Sequence, residues 1–337
     1  MHSSKRLSVI IPGFNTSKAW WLRCLRSVQS AIGLNDEIVC IDDGSRVRPD
    51  FLNVLAEGDA RIKVLFLEKN VGQAEARNIG VEACAGEFVA FVDSDDEIGD
   101  KTVYEKAIEP LLQNRCDVAV FGVRTIWCAE RLYKVDVMQN RDFASIKPQG
   151  VKELKDCGLL YYPWNKIFRR SFLDEKNIRF DKKGMPCEDV MFNLECIING
   201  ARVSTVNAVG INYYRTWGTS LSCYKADCIS GLMACNNTWQ TYKEKFPEAK
   251  IVFGPDPEFS EDFLLKREWE NMWKLHSPCT IADKLAFIEE HPSLTQVHKI
   301  LYLIYQSSYW FLRKWMYCSL IRAWHIRRTY NNVREYK

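Results

Sequence analysis

The chain has 337 residues, room for one large domain with an extension or for two domains. Its 47% hydrophobic and 26% charged residues are ordinary globular usage, which excludes a disordered chain. With 46 Lys and Arg against 43 Asp and Glu the net charge is +3, too near neutral for a dedicated nucleic-acid binder, so no nucleic-acid partner is expected.

Taken in chain order, the first apolar run, Leu7–Ile11, follows a basic start but is cut by Pro12. That is too short for a signal segment, and it is read as a buried strand. Further runs begin at Glu37 (EIVCI), Ile62 (IKVLFL), Glu87 (EFVAFV) and Asp117 (DVAVFG), at steps of 30, 25, 25 and 30 residues from Leu7. Between them apolar residues recur at helical spacing, as in Trp21, Leu25, Val28 and Ile32, or Ala76, Ile79 and Ala83. The alternation predicts an α/β domain, Rossmann-like, with a mostly parallel central sheet flanked by helices. Ligands in such sheets bind beyond the carboxyl ends of the strands.

Those ends carry the unusual residues. They are Pro12-Gly13-Phe14-Asn15, Asp42-Asp43-Gly44-Ser45, Asn70-Val71-Gly72 and Asp93-Ser94-Asp95-Asp96. Turn chemistry explains Gly, Asn and Asp there one at a time. Five carboxylates on one edge repel each other, and a cation or ligand hydroxyls would offset that. Asp93 and Asp95 have the chemistry for a hard divalent cation completed by a diphosphate, while Asp95 or Asp96 could instead cap the next helix. Asp42-Asp43 stands where doubly wound folds hold a nucleoside, or forms a plain Asx turn. Arg77 offers a bidentate donor to a phosphate, or is an exposed helix cation paired with a glutamate. Neither G-x-G-x-x-G nor a Walker loop is present, which excludes both of those nucleotide motifs.

Residues 125–225 parse less regularly and hold Pro163-Trp164-Asn165-Lys166, Glu188-Asp189 and Tyr213-Tyr214-Arg215. From about 229 the pattern turns helical. The last 39 residues carry eight Lys or Arg against one acid, with many Tyr and Trp, a composition suited either to a peripheral membrane contact or to a packed helical lobe. Leu301–Leu312 is interrupted by Gln306-Ser307-Ser308 and falls short of the ~20 apolar residues of a span. The five histidines lack metal-ligand spacing. Thirteen cysteines, an odd number without C-x-x-C, read as reduced, mostly buried thiols. The expected location is cytoplasmic, with peripheral attachment at the inner membrane face as an option.

Together LSVIIPGFN, IDDGS, NVGQAEARNIG, FVDSDDEI, PWNKIFRRSFL, Glu188-Asp189 and the stretch from Tyr214-Arg215 to Ser220-Leu221-Ser222 resemble the family 2 glycosyltransferases of capsule and polysaccharide synthesis. The resemblance covers roughly residues 5–225. It implies a GT-A fold over 1–228 with a mainly helical C-terminal extension, 229–337. It further implies inverting, metal-assisted transfer of a sugar from a nucleotide-sugar donor, UDP-linked, to a hydroxyl of a glycan or lipid-linked acceptor. Pro12, Phe14 and Asn15 would line the base pocket, Asp43 would bond the base with Asp42 nearby, and Arg77 would sit near the diphosphate. Asp93, with Ser94, would face the ribose or donor sugar. Asp95 would bind Mn²⁺ or Mg²⁺ with Asp93. Asp189 would be the general base with Glu188 beside it, and Trp164, Tyr214 and Arg215 would lie toward the acceptor.

Two departures stand out. Phe14 replaces a more usual tyrosine, and Gly13 replaces a β-branched residue, a change expected to be minor. The rival readings are a nucleotidyltransferase on a related fold, which would want a glycine-rich basic loop after the first strand, and a non-catalytic nucleotide-sugar-binding scaffold.

Overall fold

A computed structural model describes residues 5–127, 132–143, 148–157, 159–181 and 188–215, with 240, 241, 244 and 245. The chain divides into two units, Met1–Phe259 and Ser260–Lys337, and the described residues lie in the first. The expected boundary at 228/229, Ser220–Ser222, the basic C-terminal segment and all of the helical extension but 240, 241, 244 and 245 fall outside the described residues.

Strand–helix units come first: β1 (Leu7–Gly13), α1 (Lys18–Ala31), β2 (Glu37–Asp42), α2 (Phe51–Gly58), β3 (Ile62–Phe66), α3 (Gln73–Ala83) and β4 (Phe88–Phe91). A short β5 (Glu97–Ile98) and α4 (Val103–Leu112) lead to β6 (Val118–Trp127), β7 (Leu132–Asp136) and β8 (Arg141–Phe143). Then follow α5 (Pro148–Asp156), β9 (Lys166–Arg169), α6 (Arg170–Glu175), α7 (Glu188–Ile198) and β10 (Val203–Arg215). All five predicted apolar runs are strands.

The sheet order is β3-β2-β1-β4-β9-β6-β10-β5, with β7 on β6 and β8 on β10. From β3 to β4 every pairing is parallel. Each residue of β1, β2 and β4 is buried, as expected of strands covered on both faces, and this is why they read as unbroken apolar runs. Beyond β4 the sheet turns mixed. β9 inserts antiparallel between β4 and β6, and β10 then runs parallel to β6. The parallel expectation therefore describes the first half; the second half draws its strands from the irregular middle of the sequence.

Two packing details place the site. In α1, Ser17 caps the helix by accepting from Trp20 N at 3.4 Å, and Trp21, Cys24, Leu25, Val28 and Ala31 are buried at i, i+3, i+4 spacing. In α3, Gly80 lies so close to β1 that a Cβ there would come within 2.4 Å of Ile10. The start of α3 lies against the exit of β4, where Gln73 and Arg77 reach Asp93. Downstream, Phe180 stacks on Phe192 at 3.9 Å and Phe91 meets both edge-on, which anchors α7 against β4. Cys24, Cys40, Cys84, Cys116 and Cys196 are buried free thiols, in keeping with the sequence reading. Among the described residues no helix is long and apolar enough to cross a membrane.

Candidate active site

The exits of β1, β2 and β3 are tied together by side chains. Asn15, at φ 53°, takes a hydrogen bond from Arg46 N on its Oδ1 and donates its own N–H to Ser45 Oγ at 2.8 Å. Asp42 is buried and accepts from the backbone N–H and hydroxyl of Ser45. Asp43, also buried, accepts from Asn70 Nδ2 at 2.8 Å, Val71 N at 2.7 Å and Gly72 N at 3.0 Å. Both carboxylates therefore hold loops. Pro12 is buried beneath them, and Phe14, 37% exposed, is the apolar ring that this edge presents to solvent.

Gly13 carries more than a minor change. A Cβ at this position would lie 2.2 Å from Trp21 Cζ2 and 3.0 Å from Ser94 Oγ. The glycine is thus matched to the tryptophan of α1. Gly13→Val is expected to lower thermal stability by about 1–3 kcal/mol through overpacking, with partial recovery in Gly13→Val/Trp21→Leu. Equal melting temperatures for wild type and the single variant would refute the match.

At the exit of β4 each residue is gripped differently. Ser94 is buried with its hydroxyl 2.8 Å from Thr16 Oγ1. Asp95 is exposed at the mouth of the site, yet protein atoms crowd around its carboxyl; the partial loss of hydration and the neighbouring Asp93 push it up to about 6, against the pull of Arg23. Asp96 is buried, accepts from Tyr214 N at 2.9 Å, and burial drives its carboxyl well above the usual range. Arg23 donates to Asp95 O at 2.9 Å and lies between the rings of Trp20 (3.6 Å) and Tyr214 (3.8 Å). Tyr214 Oη donates to Glu97 at 2.6 Å. Residues 95–97 are thereby held from α1 on one side and β10 on the other.

The centre of the site is Arg77. Its side chain is 0% exposed, and one amino group donates to Asp93 Oδ1 at 2.8 Å while the other donates to Asp189 Oδ1 at 2.6 Å. Burial opposes the guanidinium charge, but Asp189, Asp93 and Glu188 outweigh it and raise the pKa further. Gln73 adds a second donor to Asp93 Oδ1 at 2.9 Å. Asp189, at the start of α7, keeps 27% of its side chain open; burial raises its pKa, with Asp93 adding to the effect and Arg77 opposing it. Glu188 is buried beside it.

The model of Glycosyl transferase family 2 matches residues 8–175, from β1 to the end of α6. The chain belongs to glycosyl transferase family 2. Within this family, the glycosyltransferase EpsJ of Bacillus subtilis is 28% identical over 223 residues, 64% of this chain and 62% of EpsJ. The poly(ribitol-phosphate) β-N-acetylglucosaminyltransferase TarP of Staphylococcus aureus is 27% identical over 217 residues, 59% of this chain and 60% of TarP. The match thus spans about three-fifths of the length of these relatives. Among solved structures, residues 1–349 of S. aureus TarS in complex with UDP-GlcNAc share 20% identity at a TM-score of 0.60, covering 79% of this chain and 80% of that one. This likeness shows the fold, which is GT-A.

Against the family resemblance, the structure brings Asp93, Asp95, Arg77, Glu188 and Asp189 together. Arg77, expected near a diphosphate, has both amino groups committed to carboxylates. Asp43, expected to bond the base, holds the loop 70–72. Trp164 is 2% exposed and stacks on Tyr162 at 4.3 Å, a packing role rather than an open face for an acceptor. Tyr214 serves the loop 95–97, and the side chain of Arg215 lies outside the described residues. Sequence reasoning passed over Gln73, Arg23 and Asn78, whose amide clasps the backbone of Phe180 at 2.9 Å in both directions. The short spacing of Gln73 and Asn78 from Arg77 on α3 was the available signal.

The residues present fit a divalent cation. Asp93 and Asp95 are hard oxygen donors two residues apart at one strand exit, a donor type suited to such a cation. Among the described residues no group of three His, Cys, Asp or Glu could hold a metal, so the remaining ligands would have to come from a diphosphate and water.

Proposed function

We propose that this protein transfers a sugar, with inversion, from a UDP-sugar to a hydroxyl of a glycan or lipid-linked glycan. The observation that carries the reading is the meeting of a strand-exit carboxylate, Asp93, and a helix-start carboxylate, Asp189, on one buried arginine. UDP is the nucleotide in the complex of TarS, a structural neighbour of the same fold. Phe14 supplies a ring on which the base stacks, and Asn15, Asp42 and Asp43 hold the walls around it. Asp189, open on one side and raised in pKa, accepts the proton of the acceptor hydroxyl. The freed oxygen attacks the anomeric carbon, the bond to the diphosphate breaks, and UDP leaves with the electron pair. One direct displacement inverts that carbon. Mn²⁺ or Mg²⁺ on Asp95 and Asp93 would supply charge stabilisation for the leaving diphosphate. An acceptor carried on lipid would agree with the basic, aromatic segment 299–337.

The test is a calorimetric titration with UDP, with and without Mn²⁺, on wild type and Asp95→Ala. Metal-dependent affinity lost in the variant supports the reading; no UDP binding in either condition overturns it. The metal-dependent part is expected to weaken as pH falls from about 7.5 to about 5, because a protonated Asp95 is no ligand. The loss should approach about tenfold per pH unit below its pKa. UDP binding without release from any UDP-sugar would favour the scaffold reading.

A further inference from the structure

We propose that Arg77 is a positioning residue that sets the span between the donor-side carboxylate and the base, and so brings the acceptor hydroxyl into line with the sugar it attacks. This rests on the glycosyl-transfer reading above. Three features of the site support it.

The first is the rigidity of the link. Asp93 leaves β4 and Asp189 opens α7, elements from distant parts of the chain, yet each gives one oxygen to a different amino group of the same guanidinium, at 2.8 and 2.6 Å. The two amino groups are fixed in one plane, so the separation of the two carboxylates follows from the geometry of the fork.

The second is the way the fork itself is held. Arg77 is wholly buried, its guanidinium stands 5.2 Å from the ring of Phe180, and its Nε has no hydrogen-bond partner among the described residues. The next residue on α3, Asn78, grips the backbone of Phe180 through both its amide atoms. One turn of α3 therefore fixes the arginine and the surface on which it rests.

The third is what the fork leaves over. An arginine reading a phosphate presents its amino groups to the ligand. Both amino groups of Arg77 are turned inward to protein carboxylates, and Asp93 receives a further bond from Gln73. Asp189, held through Oδ1, still has 27% of its side chain open toward an incoming hydroxyl. A lysine at 77 would keep the charge but, as a point donor, would not hold two carboxylates at a set distance. Misplacing reacting groups by about 1 Å costs on the order of 100-fold in rate.

The experiment compares wild type with Arg77→Lys, Asp93→Asn, Asp189→Asn and the double Asn variant. Release of UDP from UDP-glucose and UDP-N-acetylglucosamine gives kcat and KM; UDP with Mn²⁺ gives affinity; thermal melting gives stability. Arg77→Lys is expected to lower kcat on the order of 100-fold with donor KM and UDP affinity within about threefold. Unchanged kcat with a lower melting temperature would make Arg77 structural only and overturn the proposal. Loss of UDP affinity with kcat retained would make it a phosphate contact, which also overturns it. If Arg77→Lys does not fold, or wild type releases UDP from no donor, melting decides. Shifts of the two Asn variants that fail to add in the double variant support a shared guanidinium, whereas additive shifts overturn it. No UDP release with the coupling intact would count against the glycosyl-transfer reading alone.

Discussion

Asp189→Asn is expected to abolish sugar transfer, lowering kcat on the order of 1000-fold, while UDP affinity stays within a few-fold of wild type. Asparagine is close in shape and still offers an oxygen to the amino group of Arg77, so the hydrogen bond and the seat of α7 are kept while the charge of the ion pair is lost. What is lost is the proton acceptor. The measurement is UDP release from a UDP-sugar alongside calorimetric UDP binding. Activity within tenfold of wild type would remove Asp189 from the base role. The acid side of the wild-type pH profile supplies a second check. Burial and Asp93 raise the pKa of Asp189 while Arg77 lowers it, with a net upward shift. The deprotonated carboxylate is the active form, so kcat at saturating donor and Mn²⁺, where Asp95 stays ligated, should rise with pH through a midpoint above the ordinary carboxylate range, and that limb should be lost in the variant.

Asp43→Ala is expected to destabilise the protein by about 3–5 kcal/mol, measured by urea denaturation. The carboxylate is buried and receives three hydrogen bonds from residues 70–72, two of them from backbone amides. Hydrogen bonds to a charged group contribute about 1.5–3 kcal/mol each, and removing the acceptor takes it from the half-buried amides of Val71 and Gly72. The loop at 70–72 opens α3, so UDP affinity should fall as well. Weaker UDP binding with unchanged stability would instead identify Asp43 as a contact to the base alone. Asp43→Asn should lie between, because an amide oxygen still accepts but its nitrogen faces other donors.

The two cases show how far the chain could be read before its fold. The apolar runs at Leu7, Glu37, Ile62, Glu87 and Asp117 are strands because central strands covered on both faces must be apolar throughout, a local property visible in one window. The acidic residues at their ends could be found by the same reasoning. Their partners could not. Asp43 meets its donors 27 to 29 residues away, and Arg77 meets Asp189 across 112 residues. A phosphate contact or an exposed cation were the two readings open for Arg77, and a wholly buried link between carboxylates was neither. The clue lay in its neighbours: Ala76 and Gly80 let α3 sit close on β1, and that close approach buries whatever shares their face. Gly13 is the same lesson at shorter range, since only the fold brings Trp21 against it.

Order and spacing of motifs along the chain were thus enough for the fold class, the family and the edge of the sheet where chemistry gathers. The fold class and that edge follow from hydrophobic periodicity and from where a parallel sheet can expose polar groups, and the family from the resemblance of the motifs themselves. The pairing of those groups was settled in three dimensions. A hydrogen bond or ion pair depends on distance, and β9, α7 and the Phe180–Phe192 stack set those distances from segments whose sequence shows no periodicity tied to the site. Hence the strand-exit acids that look alike in sequence serve different ends, Asp43 in a loop, Asp96 in the interior, Asp93 on Arg77 and Asp95 at the open mouth, because each meets a different environment.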